Sequence, residues 1–281
     1  MKFHKPPLTY VSHAHLFVED ITRSLSFYQD VLGFKVFQNK EKQVHLSLDG
    51  QTKLLTIEQP VKVQRKEPRR SGLYHIALLL PSRKELANVL KYLISIGYDS
   101  MQGYSDHLVS EAIYLADPDG NGIELYCDRP SEQWEWTNNE VNMSSIPLDV
   151  PNLLKESDAK GFAGLHADTI FGHIHLHVAD LQKAKEFYVE ALGFNVVHQL
   201  GNHALFLSHG GYHHHVAINV WNGVGAPAPS LNSVGLQYFT LTIESEEEKT
   251  QILQSCFKLG YSVEENLISD PSGNQIQLRV Y

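Results

Sequence analysis

The sequence has few cysteines and no pattern among them. Only Cys127 and Cys256 occur in 281 residues, and they form no CxxC pair. Small secreted domains depend on disulfide frameworks, whereas proteins of reducing compartments keep isolated thiols. We therefore predict that both cysteines are unpaired and that the protein is cytoplasmic.

Long apolar segments and positive charge are also scarce. The longest apolar run, Ile76–Leu80, is far shorter than the roughly 20 residues of a membrane-spanning helix, and residues 1–10 lack the apolar centre of a signal peptide. The chain has 23 Lys and Arg against 32 Asp and Glu, a net charge of −9. Scattered basic residues in an acidic chain do not form a phosphate-binding surface. We expect neither a membrane nor a nucleic acid as a partner.

Histidine, by contrast, is abundant. The chain has 16 histidines, many of them in pairs or triplets at positions typical of strands. Imidazole is the most common nitrogen ligand for metals in proteins. The apolar content of 42% is sufficient for two ordinary domain cores in a chain of this length.

Two sequence units repeat along the chain in the order A, B, A, B. Segment 11–34 contains a strand with a central histidine, a Phe-Tyr pair and Leu-Gly-Phe, and segment 171–194 repeats all three features. The turn Asp-Pro-Xaa-Gly-Asn at 117–121 reappears at 270–274. An internal repeat of this kind determines the architecture of the whole chain.

Each repeat has the pattern of one strand, one short helix and three further strands. Asp20 and Asp180 are predicted to cap the helices of the A units, and Gly33 and Gly193 to end them. Because an open sheet of this kind must bury its faces against a partner, we predict an α+β protein with four βαβββ modules paired into two open, curved, mixed-sheet half-barrel domains. The modules are numbered one to four and span 10–58, 70–127, 170–221 and 234–281.

The modules divide the sequence into two halves and a connector. Residues 1–127 contain modules one and two, and residues 170–281 contain modules three and four. The connector, 128–169, is rich in polar residues, and we predict that Trp134 and Trp136 anchor it to the surface.

The strand histidine, the FYxxxLGF helix and the DPxGNxIE turn and strand resemble the vicinal oxygen chelate superfamily, which includes glyoxalases, bleomycin resistance proteins and extradiol dioxygenases. The resemblance covers the chain outside the connector. It implies metal ligands on the first strand of each paired module and on the last strand of at least one. The matching residues are His13, His75, His173, Tyr238, Glu124 and Gln277.

Module four has neither of its two expected ligands, whereas module two has both. The resemblance therefore implies one metal site per chain, built from His75, Glu124 and one further histidine, His13 or His173. Two imidazoles and a carboxylate on one face of Fe(II) leave positions for two substrate oxygens and O2. Mn, Zn or Ni could replace iron in the purified protein.

Three other residues match extradiol dioxygenases of the catechol 2,3-dioxygenase type. His214 precedes His-Val-Ala on what is predicted to be the last strand of module three, and Tyr114 precedes the DPxGN turn at the distance those enzymes show. His107 is the counterpart of a loop histidine, although its spacing departs by a residue or two. The resemblance implies that His214 is an acid–base for the second hydroxyl, while Tyr114 and His107 hydrogen-bond the substrate.

The resemblance thus implies an Fe(II)-dependent extradiol dioxygenase that cleaves a catechol-type diol with O2, and a homo-oligomer. Two alternatives stay open. One is a glyoxalase I-like isomerase or lyase with His13, Glu58, His75 and Glu124 as ligands. The other is a metal-free binding protein on the same scaffold.

The pairing of the modules decides which histidine completes the metal site. If neighbouring modules pair, the third ligand is His13, and if modules two and three pair, it is His173. A dioxygenase needs its acid–base histidine in the module that supplies the first ligand, and His214 belongs to module three. We therefore predict the crossed pairing of two with three and of one with four, with His13 left beside Tyr238 and Gln277.

Overall fold

The computed structural model describes residues 2–158, 161–264 and 266–281. Each module has the predicted order of elements. In module one these are β1 (Tyr10–Phe17), α1 (Ile21–Ser26), β2 (Lys35–Lys40), β3 (Gln43–Ser47) and β4 (Leu55–Glu58). In module two they are β5 (Gly72–Leu79), α2 (Arg83–Ser95), β6 (Met101–Asp106), β7 (Ser110–Ala116) and β8 (Gly122–Asp128).

The connector contains short elements of its own. They are a 3₁₀ turn (Ser131–Gln133), a two-stranded hairpin of β9 (Trp136–Thr137) and β10 (Glu140–Val141), and helix α3 (Val150–Leu154). Module three follows with β11 (Ile170–His177), α4 (Leu181–Glu186), β12 (Asn195–Leu200), β13 (Ala204–Ser208) and β14 (Val216–Asn219). Module four has β15 (Gly235–Ile243), α5 (Glu246–Lys258), β16 (Val263–Glu264), β17 (Leu267–Ser269) and β18 (Gln275–Val280).

Two mixed sheets of eight strands each form the body of the protein, so the predicted α+β class is confirmed. The first sheet has the order β16-β17-β18-β15-β1-β4-β3-β2, and the second has the order β12-β13-β14-β11-β5-β8-β7-β6. The first strands of the modules meet antiparallel at the centre of each sheet, β1 with β15 and β5 with β11. Module one therefore shares a sheet with module four, and module two with module three.

The helices of the A units begin and end as their sequences predict. The side chains of Asp20 and Asp180 each accept hydrogen bonds from two backbone N–H groups of the first turn. Each helix then widens into one π-helical turn that contains the Phe-Tyr pair. Gly33 and Gly193 follow with φ of +78° and +76°, a conformation that favours glycine after a helix.

The tyrosines of the repeated Phe-Tyr pairs connect the two sheets. The hydroxyl of Tyr28, in module one, donates to Asp117 Oδ2 of the module-two turn at 3.0 Å. The hydroxyl of Tyr188, in module three, donates to Asp270 Oδ2 of the module-four turn at 3.2 Å. Since the paired modules of each sheet are one with four and two with three, both hydrogen bonds run from one sheet to the other.

One large hydrophobic core includes buried residues of both sheets and of the helices packed on them. The connector packs against this body through Trp134, which is 7% exposed and whose ring centroid is 5.7 Å from that of Tyr212. Trp136 is 38% exposed in β9, so its predicted role as an anchor is wrong. Trp136 pairs with Val141 in the short hairpin β9–β10. In the described part of the chain, no helix is long and apolar enough to cross a bilayer.

Candidate metal centre and cavity

Three neighbouring strands of the second sheet bring His75, Glu124 and His173 together. His75 lies on β5, Glu124 on β8 and His173 on β11. Glu124 Oε2 is 3.0 Å from His75 Nε2 and 3.2 Å from His173 Nε2. The three ligand atoms all lie within 4.8 Å of one another, and within the described ranges this is the one such group of three or more His, Cys, Asp or Glu residues.

The three side chains are buried, with exposures of 5%, 3% and 1% for His75, Glu124 and His173. Burial opposes the charged form of Glu124, but its proximity to His173 and His75 outweighs burial and holds its pKa well below the usual range. Burial, opposed by Glu124, lowers the pKa of His173 to about 4. The group thus offers a carboxylate and unprotonated imidazole, the forms that bind metals.

A buried nitrogen of the group has no hydrogen-bond partner in the residues that the structure describes and is available to bind an ion. Buried polar groups in folded proteins almost always have a hydrogen-bond partner. Among the described residues, His75 Nε2 is buried without one although it faces Glu124. A divalent transition metal would use this nitrogen, and two imidazoles with one carboxylate are a donor set that such ions accept. The residues present therefore fit a metal.

The other ligand-equivalent residues lie in the first sheet. His13 is hydrogen-bonded to two threonines, through Nε2 to Thr56 Oγ1 at 2.8 Å and through Nδ1 to Thr240 Oγ1 at 3.3 Å. Thr240 Oγ1 donates in turn to Gln277 Oε1 at 3.2 Å, and the Tyr238 ring packs 5.9 Å from that of His13. These hydroxyl and amide groups satisfy His13 without an ion.

Glu58, the remaining candidate ligand, also lies in the first sheet. Its Oε2 is 3.0 Å from His15 Nε2. The four residues of the glyoxalase-like alternative are thus divided, with His13 and Glu58 in one sheet and His75 and Glu124 in the other.

A cavity of about 610 Å³ opens beside the His75–Glu124 pair. His107, Tyr114 and His214, the three residues expected to act on the substrate, all line it. Aromatic and apolar side chains form much of the remaining wall, among them Tyr74, Phe206 and Trp221. Among the described residues, the 22 that line the cavity include no Lys or Arg, so none of them places a fixed positive charge on its wall.

Tyr114 and His107 form a hydrogen-bonded pair with a defined direction. His107 Nδ1 is 2.9 Å from the Ser144 carbonyl, which can only accept, so this nitrogen carries a proton. In a neutral ring the other nitrogen, Nε2, then accepts from the Tyr114 hydroxyl at 2.6 Å. Burial, together with the Glu124 carboxylate, raises the pKa of Tyr114 well above its ordinary value, so the phenol keeps its proton.

His214 lies against the candidate metal centre. Its ring centroid is 4.0 Å from that of His173 and 5.1 Å from that of Phe206. Burial, reinforced by neighbouring histidines, lowers the pKa of His214 well below its ordinary value. The expectation that His214 belongs to the last strand of module three is wrong, because β14 begins only at Val216 and His214 is in the preceding loop.

Other polar residues around the cavity were not identified from the sequence. His213 Nδ1 is 2.8 Å from His214 Nδ1, and its Nε2 is 2.8 Å from Asp128 Oδ1. His175 lines the cavity, with its Nε2 accepting from the Asn219 amide at 2.9 Å. The histidine triplet could have identified His213 from the sequence. Asp128 is 85 residues from His213, and no local sequence pattern connects the two.

Comparison with known proteins agrees with the repeated architecture. The family model "Glyoxalase/Bleomycin resistance protein/Dioxygenase superfamily" matches residues 10–125 and 170–278. A catechol-2,3-dioxygenase from Bacillus subtilis (strain 168) is 44% identical over 261 residues, which are 92% of this chain and 90% of that protein. Metallothiol transferase FosB of Bacillus licheniformis is 26% identical over 46% of this chain and 82% of its own length.

A solved structure with low sequence identity has the same fold. Glyoxalase I from Zea mays superposes with a TM-score of 0.59 at 15% identity, over 96% of this chain and 92% of that one. At this identity the likeness concerns the fold alone.

Proposed function

The chain belongs to the Glyoxalase/Bleomycin resistance protein/Dioxygenase superfamily, and from this premise we propose that it is an extradiol dioxygenase that cleaves a catechol-type diol with O2. One observation carries the proposal. The buried triad of His75, Glu124 and His173 lies beside a cavity that also exposes three groups able to hold or move protons, His107, Tyr114 and His214.

We propose Fe(II) as the native metal, held by His75, Glu124 and His173. Bound there, it would supply a Lewis acid that lowers the pKa of the diol hydroxyls and a route for electrons from the ring to O2. Three protein ligands leave room for a bidentate diol and O2. Because both atoms of O2 end in the product, the reaction needs no separate reductant.

The side chains around the cavity would accept protons and hydrogen bonds from the substrate. His214, whose ring is neutral, would take the proton of the second hydroxyl and return it later in the reaction. The Tyr114 hydroxyl donates to His107, so its oxygen lone pairs remain available to accept from the substrate. The absence of Lys and Arg from the cavity wall favours diols without a carboxylate substituent.

The arrangement of the two sheets is evidence against the glyoxalase-like alternative. Its ligand set would need His13 and Glu58 beside His75, but both lie in the first sheet. There His13 is hydrogen-bonded to Thr56, and Glu58 lies against His15.

An oxygen-uptake experiment tests the proposal. Protein is loaded with Fe(II) under anaerobic conditions, mixed with catechol and exposed to air, and O2 consumption and the yellow ring-cleaved product are followed together. We expect one O2 consumed per catechol, with no reductant added. Glu124→Gln should consume none, and His13→Gln, altered in the other sheet, should behave like the wild type. Turnover of a hemithioacetal without O2 uptake would contradict the proposal.

We further propose that the enzyme functions in the cytoplasm as a homo-oligomer. Both cysteines are free and buried, which suits a reducing compartment. Light scattering during gel filtration checks the oligomeric state, and a monomer at micromolar concentration would contradict this part of the proposal.

A further inference from the structure

A row of three side chains leads from the cavity to a second, smaller pocket. His214 lines the cavity, and its Nδ1 is 2.8 Å from Nδ1 of His213, which is fully buried. His213 Nε2 is 2.8 Å from Asp128 Oδ1. The Asp128 side chain is 22% exposed and lines a separate small pocket of about 230 Å³ near the N-terminus. The row therefore connects two different surfaces.

The chemistry of the row determines which nitrogens carry protons. An aspartate carboxylate has no proton to donate at neutral pH, so His213 Nε2 must be the donor to Asp128. In a neutral His213 ring, Nδ1 then has a lone pair and accepts from His214 Nδ1–H. The proton of a neutral His214 is consequently on Nδ1.

We propose that Asp128 and His213 are positioning residues that hold His214 in the Nδ1–H tautomer, with the Nε2 lone pair left for the cavity. This inference rests on the proposed function for its purpose, because a diol hydroxyl needs an acceptor in the cavity. The tautomer itself follows from the hydrogen bonds. Second-layer partners of this kind commonly determine the orientation and tautomer of a histidine that acts on substrate.

The Asp128 carboxylate also accepts a hydrogen bond from outside the row. The Tyr212 hydroxyl donates to Asp128 Oδ1 at 3.2 Å. The same hydroxyl is hydrogen-bonded to the Tyr126 hydroxyl at 2.7 Å. Both tyrosines are fully buried, Tyr126 in β8 and Tyr212 in the loop before β14. Removing the Tyr212 hydroxyl leaves the bond from His213 to Asp128 in place, which makes Tyr212→Phe a matched control.

Nitrogen-15 NMR of the histidine rings tests the tautomer in metal-free protein. Two-bond couplings between ring nitrogens and carbon-bound ring protons distinguish the two neutral forms, and the His214→Gln variant identifies the His214 signals. We expect wild type and Tyr212→Phe to have His214 protonated on Nδ1. In Asp128→Ala, His213 is no longer constrained, and the His214 signals should shift toward the Nε2–H form. A wild-type His214 protonated on Nε2, or an Asp128→Ala spectrum identical to wild type, would overturn the inference.

Steady-state kinetics of the Fe(II)-loaded protein separate positioning from a merely structural role. Asp128→Ala should lower kcat by roughly 10- to 100-fold, with KM for catechol and iron content unchanged, whereas Tyr212→Phe should retain kcat. Loss of iron or a rise in KM with kcat retained would show that Asp128 only supports the structure, and would refute the positioning role. If wild type cleaves no catechol while the NMR result is as expected, the proposed function fails and the tautomer assignment stands.

Discussion

At the scale of single residues, two similar histidines have opposite surroundings. His173 faces the carboxylate of Glu124, while the equivalent His13 faces two threonine hydroxyls. A carboxylate and a second imidazole make a metal site, whereas neutral hydroxyls only satisfy the ring. The same strand position therefore belongs to a candidate metal site in one sheet and to a set of satisfied hydrogen bonds in the other.

Metal content tests this difference. We expect about one metal per chain in the wild type and in His13→Ala, and almost none in His173→Ala, because losing one of three ligands removes most of the binding free energy. Elemental analysis after dialysis measures it. Two equivalents in the wild type, or loss of metal from His13→Ala, would disagree with the assignment.

His214 is expected to act on protons without holding the metal. Replacing it by Ala should leave metal content unchanged and lower turnover by about 100-fold, the usual scale for a lost acid–base group. The checks are elemental analysis and O2 uptake on the same sample. A His214→Ala protein without metal would make His214 a ligand instead.

The buried His13 makes stability depend on pH. Burial, with nearby Lys53 adding to it, lowers the pKa of His13 to about 2, so the folded ring stays neutral while the unfolded ring gains a proton below its ordinary pKa of about 6.5. Its contribution to stability is thus complete above pH 6.5 and is lost as pH falls toward the folded pKa.

Urea unfolding of metal-free protein between pH 5.5 and 4.5 measures this contribution. In His13→Asn, the slope of unfolding free energy against pH should be shallower than in the wild type by about 1.4 kcal/mol per pH unit, the value for one proton. Equal slopes would mean that His13 is protonated in the folded state.

At the scale of elements, the repeated motifs have a structural explanation as well as a functional one. The Tyr of the Phe-Tyr pair and the Asp of the DPxGN turn are hydrogen-bond partners across the two sheets. Burial, reinforced by Asp117, raises the pKa of Tyr28 well above its ordinary value and keeps it a donor. The two motifs therefore depend on each other in space although they belong to different modules.

Removing this donor should cost stability and leave the metal in place. For Tyr28→Phe we expect a decrease in unfolding free energy of about 1.5–3 kcal/mol, as for a buried hydrogen bond to a charged group. Tyr92→Phe is the control, because the Tyr92 hydroxyl bonds the Asp30 carbonyl in an exposed position and its loss should cost below about 0.5 kcal/mol. Urea denaturation compares them, and equal effects would contradict a special role for the Tyr28 bond.

The sequence predicted the presence of helices and strands better than the residues at which they begin and end. Helix caps at Asp20 and Asp180 were predictable because capping is local. The start of β14 was not, since it depends on where pairing with β11 and β13 begins, at Val216. Asp128 was assigned to the polar connector, but the structure places it at the end of β8, and its partner His213 is 85 residues away in sequence. Contacts of that kind appear only when the chain is folded.

At the scale of the whole molecule, the sheets do not follow the halves of the sequence. Each sheet takes one module from residues before the connector and one from residues after it. The repeat positions identified the candidate histidine ligands. Counting ligands alone did not show whether His13 or His173 completes the metal site. The position of His214 in module three favoured His173, and in the structure His173 lies beside both His214 and Glu124.

The most direct test of ring cleavage is the fate of labelled oxygen. Fe(II)-loaded protein is given catechol under ¹⁸O₂, and the product is identified by mass spectrometry at early times, before exchange of the aldehyde oxygen with water. An extradiol dioxygenase yields 2-hydroxymuconic semialdehyde with both labelled atoms, since the bond beside the diol is cleaved. Cleavage between the hydroxyls, giving cis,cis-muconate, or catechol recovered unchanged with no O2 consumed, would contradict the account.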